Sequence, residues 1–318
     1  MINKRKNISA GELELIQYIQ KRFPKRREEI IKGIGDDAML FRNGFIVSTD
    51  SFFETIHFHL KYFSFSALGY HCLAAALSDL AAMGALPICA LVSLNLTKKI
   101  GKQEIEQLYT GFARLANKYR LDIAGGDIVT SPCFGMSITV IGRARKALMR
   151  SGASPGQALF VTNFLGLAEV GRSVLKQNLS QKEYPDAVHK HLFPEPRIKE
   201  AQAIRQYARS CIDTSDGLST DAFHLTEESR VKIVIEAEHI PIHSEVGEYC
   251  STVKIDSLDF ILSAGEDFEL LFTANRLPKI PGVKIFRIGT VMKGRGIYLS
   301  SRGKTRQIEP SGYEHLVQ

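Results

Sequence analysis

Residues 66–84, SALGYHCLAAALSDLAAMG, form the segment that most restricts how this chain folds. Small and apolar side chains cover all sides of the segment, a pattern that predicts a helix enclosed by other elements. Gly84 is the residue type that commonly follows the last turn of a helix. Asp79 lies among leucines and alanines, where an ionised carboxylate is destabilised unless a cation is near. The segment therefore predicts a buried helix whose one charge needs a partner.

The rest of the chain alternates between strand and helix patterns, which is typical of an α/β or α+β protein. In the first half, strands are predicted at 45–50, 87–96, 121–127 and 135–144, and a helix at 102–118. In the second half, strands are predicted at 158–163, 231–237, 268–274 and 283–289, and helices near 166–178 and 196–209.

Three local signals refine this outline. Ser9 with Glu12 predicts a capping box at the start of the first helix. The strand at 121–127 ends in two glycines, so we expect a glycine turn there. Glycine, serine and proline at 151–157 predict a domain boundary. A chain of 318 residues is long enough for two domains, which we place at 1–148 and 149–318.

Most of the net charge of +7 lies in the N-terminal segment, since residues 1–32 contain nine Lys or Arg and four Glu. Such a segment is typical of a solvated helix end, while an RNA-associated binding protein is the alternative from a different functional class. That alternative predicts strongly salt-dependent affinity and no nucleotide turnover.

Several other classes are excluded by the sequence. No run approaches the roughly 18 uncharged apolar residues of a membrane span, and the N-terminus lacks a signal-peptide core, so we expect a cytoplasmic protein without a membrane partner. The five cysteines are scattered and form no C-x-x-C pair, which argues against a disulfide framework or structural zinc.

Carboxylates recur beside glycines and at predicted strand ends. They are Asp36 and Asp37 in GIGDDA, Asp50 in VSTD, Asp127 in AGGD, Asp213 and Asp216 in DTSDG, and Glu266 and Asp267 in AGED. Taken singly, each fits a turn or a helix cap. Together, oxygen donors from distant segments are what Mg²⁺ requires, and neighbouring glycines let a ligand approach. Because Mg²⁺ usually accompanies phosphate, the set predicts a nucleotide site.

Two other motifs give weaker evidence of a functional site. His57 and His59 alternate on a predicted strand and so share a face, where a paired surface or core role is favoured over a metal site. RGKT at 302–305 ends like a phosphate-binding loop, but Tyr298 stands where that loop needs glycine, so a hairpin is predicted.

Seven motifs then indicate a family: GIGDDA, VSTD, LSDLAAMGA, GGD, RSGASPG, DTSDGL and SAGEDFELLFT. Their order and approximate spacing resemble those of bacterial thiamine-monophosphate kinases, from about residue 10 to GYEH at 312–315. The resemblance implies an α/β (α+β) chain with the two-domain aminoimidazole ribonucleotide synthetase-like fold. Its N-terminal sheet domain would bind ATP and magnesium and form a homodimer, and its C-terminal α/β domain would complete the ATP and substrate sites. The implied reaction is ATP-dependent phosphorylation of thiamine monophosphate to thiamine diphosphate, with several Mg²⁺ ions, ATP as co-substrate and no nucleic acid.

The resemblance also implies roles for individual residues. The implied magnesium ligands are Asp37, Ser48, Thr49, Asp50, Asp79, Asp127, Asp213 and Asp216. Arg150 and Ser215 would contact ATP beside the backbone of Gly125 and Gly126, and the thiamine phosphate would face His57, Glu266 and Tyr313. Asp37, Asp79 and Arg150 are the implied catalytic residues.

Two departures from the family pattern are small. Ile128 follows GGD where the family usually has threonine, and Ala264 precedes Gly265 where a second glycine is common. Another ATP-using enzyme of the same superfamily, with a different small acceptor, is the alternative. Neither residues 1–32 nor the last residues contain the cysteine of selenophosphate synthetase or the hydrogenase maturation protein.

Overall fold

Two mixed sheets and the helices around them form the computed structural model, which describes residues 11–277 and 279–313. The first part contains helices α1 (Glu12–Arg22), α2 (Phe65–Ala82) and α3 (Lys102–Tyr119), and strands β1 (Ile30–Lys32), β2 (Met39–Phe41), β3 (Phe45–Phe53), β4 (Leu86–Leu96), β5 (Asp122–Thr130) and β6 (Gly135–Arg143). These strands form one sheet in the order β1-β2-β3-β6-β4-β5, in which only the β4–β5 pair is parallel.

The second part contains a seven-stranded sheet. Its strands are β7 (Ala158–Thr162), β8 (Ser210–Asp213), β9 (Lys232–Glu236), β10 (Leu270–Ala274), β11 (Ile285–Met292), β12 (Gly296–Ser301) and β13 (Lys304–Ile308), in the order β13-β12-β9-β11-β7-β10-β8. Its helices are α4 (Leu167–Gln177), α5 (Pro185–Leu192), α6 (Ile198–Ile204), α7 (Leu218–Ser229), α8 (Ser244–Val253) and α9 (Ser257–Ser263). The predicted α/β class is confirmed. The sheets divide the chain between residues 143 and 158, and the exact domain boundary stays a prediction.

Helix α2 is the buried helix predicted from residues 66–84. The Ser64 hydroxyl caps its first turn by accepting the Ala67 N–H at 3.2 Å. Packing against α3 is unusually close, since a Cβ built on Gly69 would lie 2.1 Å from the Leu108 carbonyl oxygen. A Cβ on Gly111 would lie 2.1 Å from a carbonyl oxygen of α2. The two backbones therefore touch, which only glycine at these positions permits.

A buried ion cluster fastens α5 and α6 to β10. Glu269, which is fully buried, accepts hydrogen bonds from Lys190 at 2.5 Å and from Arg197 at 2.6 and 2.5 Å. These cations keep the pKa of Glu269 below its ordinary value despite burial. The carboxylate is therefore ionised and joins three elements that are distant in sequence.

Several local predictions were wrong. Strand β3 continues to Phe53, so Asp50 lies inside a strand and not at its end. Strand β5 runs through Gly125 and Gly126 without a turn. Glycine is needed there because a Cβ on Gly126 would lie 1.8 Å from the Val92 carbonyl oxygen of the paired strand.

Shorter elements also differ from expectation. The helix expected over 196–209 spans only Ile198–Ile204, and His57 lies in a turn after β3 and not on a strand. Ser9 of the predicted capping box lies outside the described residues, and Gly11 is the residue that precedes α1. The hairpin predicted around RGKT is confirmed by the pairing of β12 with β13. Among residues 11–277 and 279–313, no helix combines the length and apolar character needed to cross a bilayer.

Candidate active site

Three carboxylates from distant segments meet where the two sheets adjoin. Asp37 follows β1, Asp79 lies in the last turn of α2, and Asp213 ends β8. One oxygen of each lies within 4.8 Å of an oxygen of the other two. Asp37 and Asp213 are buried and Asp79 is partly buried. Carboxylates at this separation repel one another strongly unless protons or cations lie between them.

Two serine hydroxyls orient this cluster. The Ser48 hydroxyl donates to Asp79 and also lies 3.3 Å from the carbonyl oxygen of Asp37. The Ser78 hydroxyl donates to Asp213 at 2.6 Å. Strand alternation places Ser48 and Asp50 on the same face of β3, which is the face that α2 covers. One oxygen of Asp79 and one oxygen of Asp213 are therefore oriented before any ligand binds.

Arg150 is the cation next to the cluster. Its Nε and Nη2 donate to the same oxygen of Asp37, at 3.1 and 2.8 Å. Its backbone N–H donates to Asp36 at 3.1 Å, and its carbonyl accepts the Ser229 hydroxyl at 3.0 Å. Oδ2 of Asp36 and Oδ2 of Asp37 are buried and have no hydrogen-bond partner among the described residues. Arg150, together with Lys32 at 3.9 Å from Oδ2 of Asp36, thus leaves part of the negative charge of the cluster uncompensated.

The proton affinities reflect this excess of negative charge. Burial, followed by the charges of Asp50, Asp213 and Asp37, raises the pKa of Asp79 well above its ordinary value. Burial and the charge of Asp37 raise the pKa of Asp213 to about 7. Burial and the same neighbour raise the pKa of Asp36 to about 7. Such groups ionise readily only when a cation takes the place of the proton.

The donor set fits Mg²⁺. It consists of oxygens from several carboxylates and one or two hydroxyls, with buried carboxylate oxygens still lacking a partner. No cysteine or histidine belongs to this group, so the soft or nitrogen ligands of zinc and iron are missing from it. The residues that could hold the ion in this cluster are Asp37, Ser48, Asp50, Asp79 and Asp213.

Three other predicted ligands lie differently. The Thr49 side chain is on the opposite face of β3, where its hydroxyl accepts the Thr139 hydroxyl at 3.0 Å. Asp127 is exposed on the edge strand β5, opposite Ser93 of β4. Asp216 is partly buried in the loop after β8. Roles for Thr49, Asp127 and Asp216 as ligands therefore remain predictions that rest on the family resemblance.

The predicted nucleotide contacts occupy two separate places. Ser215 lies in the loop after β8 with Asp216, and its carbonyl accepts the Glu266 N–H at 2.8 Å. Gly125 and Gly126 lie on β5, beside Asp127. Arg150 and Ser215 are thus on the carboxylate side, whereas the glycine pair is at the edge of the first sheet.

The residues predicted to face the second substrate gather around the loop at 264–269. Glu266 has a positive φ of 62° and lies 3.6 Å from His191. The backbone N–H of Tyr313 donates to the Asp216 carbonyl at 2.9 Å, which holds the C-terminal segment against the loop after β8. Burial, together with the charges of Glu12 and Glu266, raises the pKa of Tyr313. Glu266 and Tyr313 therefore lie near each other, although Tyr313 is half exposed.

His57 approaches this region from the first sheet. Its Nδ1 accepts the Phe53 N–H at 3.1 Å, and its charge is among the causes, after burial, that lower the pKa of His71 to about 4. His71 in turn contacts the carbonyl of His191 at 2.7 Å. Contacts therefore connect His71 to Glu266 through His191, and His57 lies close enough to His71 to influence its pKa.

Several polar residues of this region were missed at the level of sequence. Ser78 gave no signal, because its partner Asp213 is 135 residues away. Asp221 is buried in the first turn of α7 and accepts the Gly217 N–H at 3.1 Å. Burial and the charges of Asp216 and Asp213 raise its pKa well above the ordinary value. Asp221 could have been noticed in the sequence, because it is a carboxylate four residues after the glycine of DTSDGL.

Burial also raises the pKa of Glu266, to about 7, and Arg172 counteracts this effect. Arg172 forms a bidentate pair with Glu169 at 2.6 Å for both bonds. The loop at 264–269 thus contains a carboxyl group that changes its charge near neutral pH.

Comparisons with known proteins identify the family of the chain. Residues 35–144 match the family described as AIR synthase related protein, N-terminal domain. The chain is 32% identical to the thiamine-monophosphate kinase of Aquifex aeolicus over 313 residues, covering 96% of this chain and 98% of that protein. It is 36% identical to the thiamine-monophosphate kinase of Bacillus subtilis, covering 96% and 99%. A solved structure of AaThiL complexed with AMPPCP and TMP superposes with a TM-score of 0.88 at 32% identity, covering 96% and 97%.

The relatives and the superposed structure extend over nearly the whole chain, so both sheets and both halves of the site lie within the similarity. The predicted aminoimidazole ribonucleotide synthetase-like fold is confirmed by the family match and the superposition. The identity exceeds 30% over almost full length in both relatives. This chain therefore belongs to the thiamine-monophosphate kinase family.

Proposed function

We propose that this protein transfers the γ-phosphate of ATP to thiamine monophosphate, which gives thiamine diphosphate and ADP. The cluster of Asp37, Asp79 and Asp213 beside Arg150 is the observation that carries the proposal. Its excess negative charge is suited to holding cations against a polyphosphate. The names of the relatives and the two ligands of the superposed structure support the choice of nucleotide and acceptor.

Magnesium is the proposed cofactor, bound as several ions by Asp37, Ser48, Thr49, Asp50, Asp79, Asp127, Asp213 and Asp216. Bound Mg²⁺ would screen the charges of the two phosphates from each other and polarise the transferred group. Three of these side chains form the carboxylate cluster, Ser48 donates to it, and the charge of Asp50 acts on Asp79. For Thr49, whose hydroxyl faces away, we propose that a backbone oxygen serves.

Arg150 and Ser215 are proposed to bind the nucleotide, with the Gly125 and Gly126 backbone beside it. Arg150 is held at both ends, since its guanidinium donates to Asp37 and its backbone carbonyl accepts the Ser229 hydroxyl. A guanidinium fixed in this way orients a phosphate without first losing side-chain freedom. Its charge also stabilises the negative oxygens of the transition state.

The acceptor is proposed to bind against His57, Glu266 and Tyr313. An oxygen of its phosphate attacks the γ-phosphorus in line, the new phosphorus–oxygen bond forms, and the bond to ADP breaks. No phosphoenzyme and no strong base are required, because a phosphate monoester with a second pKa near 6 is largely ionised at pH 7. Positioning and charge stabilisation are then the main contributions of the protein.

The direct test is incubation of the purified protein with ATP and Mg²⁺, with and without thiamine monophosphate, and separation of the thiamine products. We expect thiamine diphosphate and ADP in equal amounts, and strong loss of both in Asp79→Asn. Turnover of ATP without the acceptor, or no turnover, would contradict the proposal and favour an enzyme of the same superfamily with another small acceptor.

A homodimer in the cytoplasm is proposed as the working form, acting without nucleic acid or membrane. On the face of the first sheet opposite α2, Leu91 of β4 is exposed, which supports it. Ile128 and Val129 are exposed on the adjacent edge strand β5, whose outer edge pairs with no other strand of the described residues. Sedimentation should give twice the mass of 35.4 kDa. A monomer at micromolar concentration would contradict this part of the proposal.

A further inference from the structure

We propose that a groove near the beginning of β3 binds an organic polyphosphate, separately from the active site. The groove is a cavity of about 820 Å³. It is formed by the turn between β2 and β3, the start of β4, the end of β6 and the end of α6. None of the active-site carboxylates lines it.

Four arginines from different elements converge on this groove. Arg42 belongs to the turn before β3, Arg143 is the last residue of β6, Arg145 follows two residues later, and Arg205 comes directly after α6. Their positions are distant in sequence, so the concentration of charge results from the fold. The lining contains no aspartate or glutamate.

The four guanidinium charges are not compensated. Within residues 11–277 and 279–313, none of them forms an ion pair with a carboxylate. Arg42 Nε donates to the carbonyl of Glu28 at 3.1 Å, and the Arg143 guanidinium lies 5.3 Å from the centre of the Phe45 ring. These contacts orient two arginines without neutralising them. Four like charges around one cavity repel one another, so an anion bound there would relieve the repulsion.

The side chains that line the groove indicate which class of ligand fits it. Guanidinium groups match phosphate oxygens with paired N–H donors, and four of them suit a di- or triphosphate better than a single phosphate. The volume lies in the range of small-molecule sites. Leu86 and Ile88 are 54% and 41% exposed at the same groove and offer an apolar surface to a ring. A nucleotide or a similar ring-bearing polyphosphate meets both requirements.

The groove also adjoins the active site through α2. Gln202, which lines the groove, donates from Nε2 to the carbonyl of Gly84 at 2.9 Å. Gly84 follows the helix that carries Asp79. A ligand in the groove therefore contacts residues that hold the C-terminal end of this helix.

Calorimetric titration of ATP into the full chain in the presence of EDTA tests the proposal. Without Mg²⁺ the active-site carboxylates repel the nucleotide, so binding reports on the groove. We expect one site, with the double variant Arg143→Gln/Arg145→Gln binding ATP about tenfold more weakly. The matched double variant Arg302→Gln/Arg306→Gln, on the exposed β12–β13 hairpin, should bind like the parent. Arg205→Gln, which alters a different element, should also weaken binding.

Equal binding by the two double variants would overturn the proposal, as would no measurable binding by the parent. Circular dichroism and urea midpoints must match the parent, and Arg205→Gln supplies the test if the first double variant is unfolded. Inorganic triphosphate serves as the second probe, and affinity equal to that of ATP would refute the role of Leu86 and Ile88. A single-stranded RNA that binds the groove while ATP fails to compete would show a nucleic-acid site instead.

Discussion

Replacement of Asp79 by asparagine should change stability in opposite directions with and without magnesium. Two unit charges 4.8 Å apart, the separation that bounds the carboxylate oxygens of the cluster, repel by about 3.5 kcal/mol at an effective dielectric constant of about 20. Proton uptake relieves part of this repulsion, as the raised pKa of Asp79 indicates. We therefore expect Asp79→Asn to raise the free energy of unfolding in EDTA by about 1–3 kcal/mol.

With Mg²⁺ present, the same substitution removes one of the proposed ligands. The increase in stability that Mg²⁺ gives should become smaller, and kcat should fall by about 100-fold or more. Urea unfolding monitored by circular dichroism, in EDTA and in Mg²⁺, measures the first effect, and a coupled assay for ADP measures the second. The Ser48 hydroxyl keeps an acceptor in the asparagine amide oxygen, so its hydrogen bond is preserved.

Asp267→Asn is the matched control. Asp267 is buried too, but its oxygens accept the N–H groups of Gly166 and Ala168 at 2.5 and 3.0 Å, away from the carboxylate cluster. In Asp267→Asn, the amide NH₂ group would face one of these backbone N–H groups, so two donors would meet without an acceptor. The free energy of unfolding should therefore fall by about 1–3 kcal/mol in both buffers. A lower free energy of unfolding for Asp79→Asn than for the parent in EDTA would refute the reasoning. So would an increase in this free energy with Mg²⁺ that is as large in Asp79→Asn as in the parent.

Three further substitutions have expected outcomes. Arg150→Lys keeps the charge but loses the paired donors, so kcat/KM for ATP should fall at least about tenfold, and unchanged initial rates would contradict its proposed role. Glu266 has a pKa of about 7, so it becomes anionic as pH rises from 6 to 8. KM for thiamine monophosphate, whose thiazolium ring is cationic, should fall over that range in the parent but stay flat in Glu266→Gln, as measured by initial rates. Glu269→Gln should lower the free energy of unfolding at pH 7 by about 3–5 kcal/mol, because Lys190 and Arg197 lose their buried partner. The folded pKa of Glu269 is below its ordinary value of 4.5, so this stabilisation is present above that value and disappears as pH falls through the lower folded pKa. Thermal unfolding at pH 7 and pH 3 checks that the difference shrinks in acid.

The sequence was informative where the determining pattern is local. Helix α2 was predictable because apolar residues cover all its sides, and its single carboxylate pointed to a neighbouring cation. The motifs also indicated which carboxylates share a site, and the structure brings Asp37, Asp79 and Asp213 together.

Other features depend on contacts between distant segments. The pair of Asp37 with Arg150 joins residues 113 apart, and no local pattern encodes such a contact. Gly125 and Gly126 resemble a turn in sequence, yet they continue a strand because the Val92 carbonyl of the neighbouring strand leaves no room for a Cβ at Gly126. Asp127 was grouped with the other acids by motif, whereas the structure exposes it on an edge strand.

The contact of the α2 and α3 backbones has a consequence for engineering this enzyme. Gly69 lies ten residues before Asp79, about 15 Å along the same helix axis. Any larger residue at Gly69 or Gly111 would separate the helices and displace the carboxylate at the far end. Libraries that seek new acceptors should therefore leave this pair unvaried and diversify His57, Glu266 and Tyr313, the residues proposed to face the acceptor.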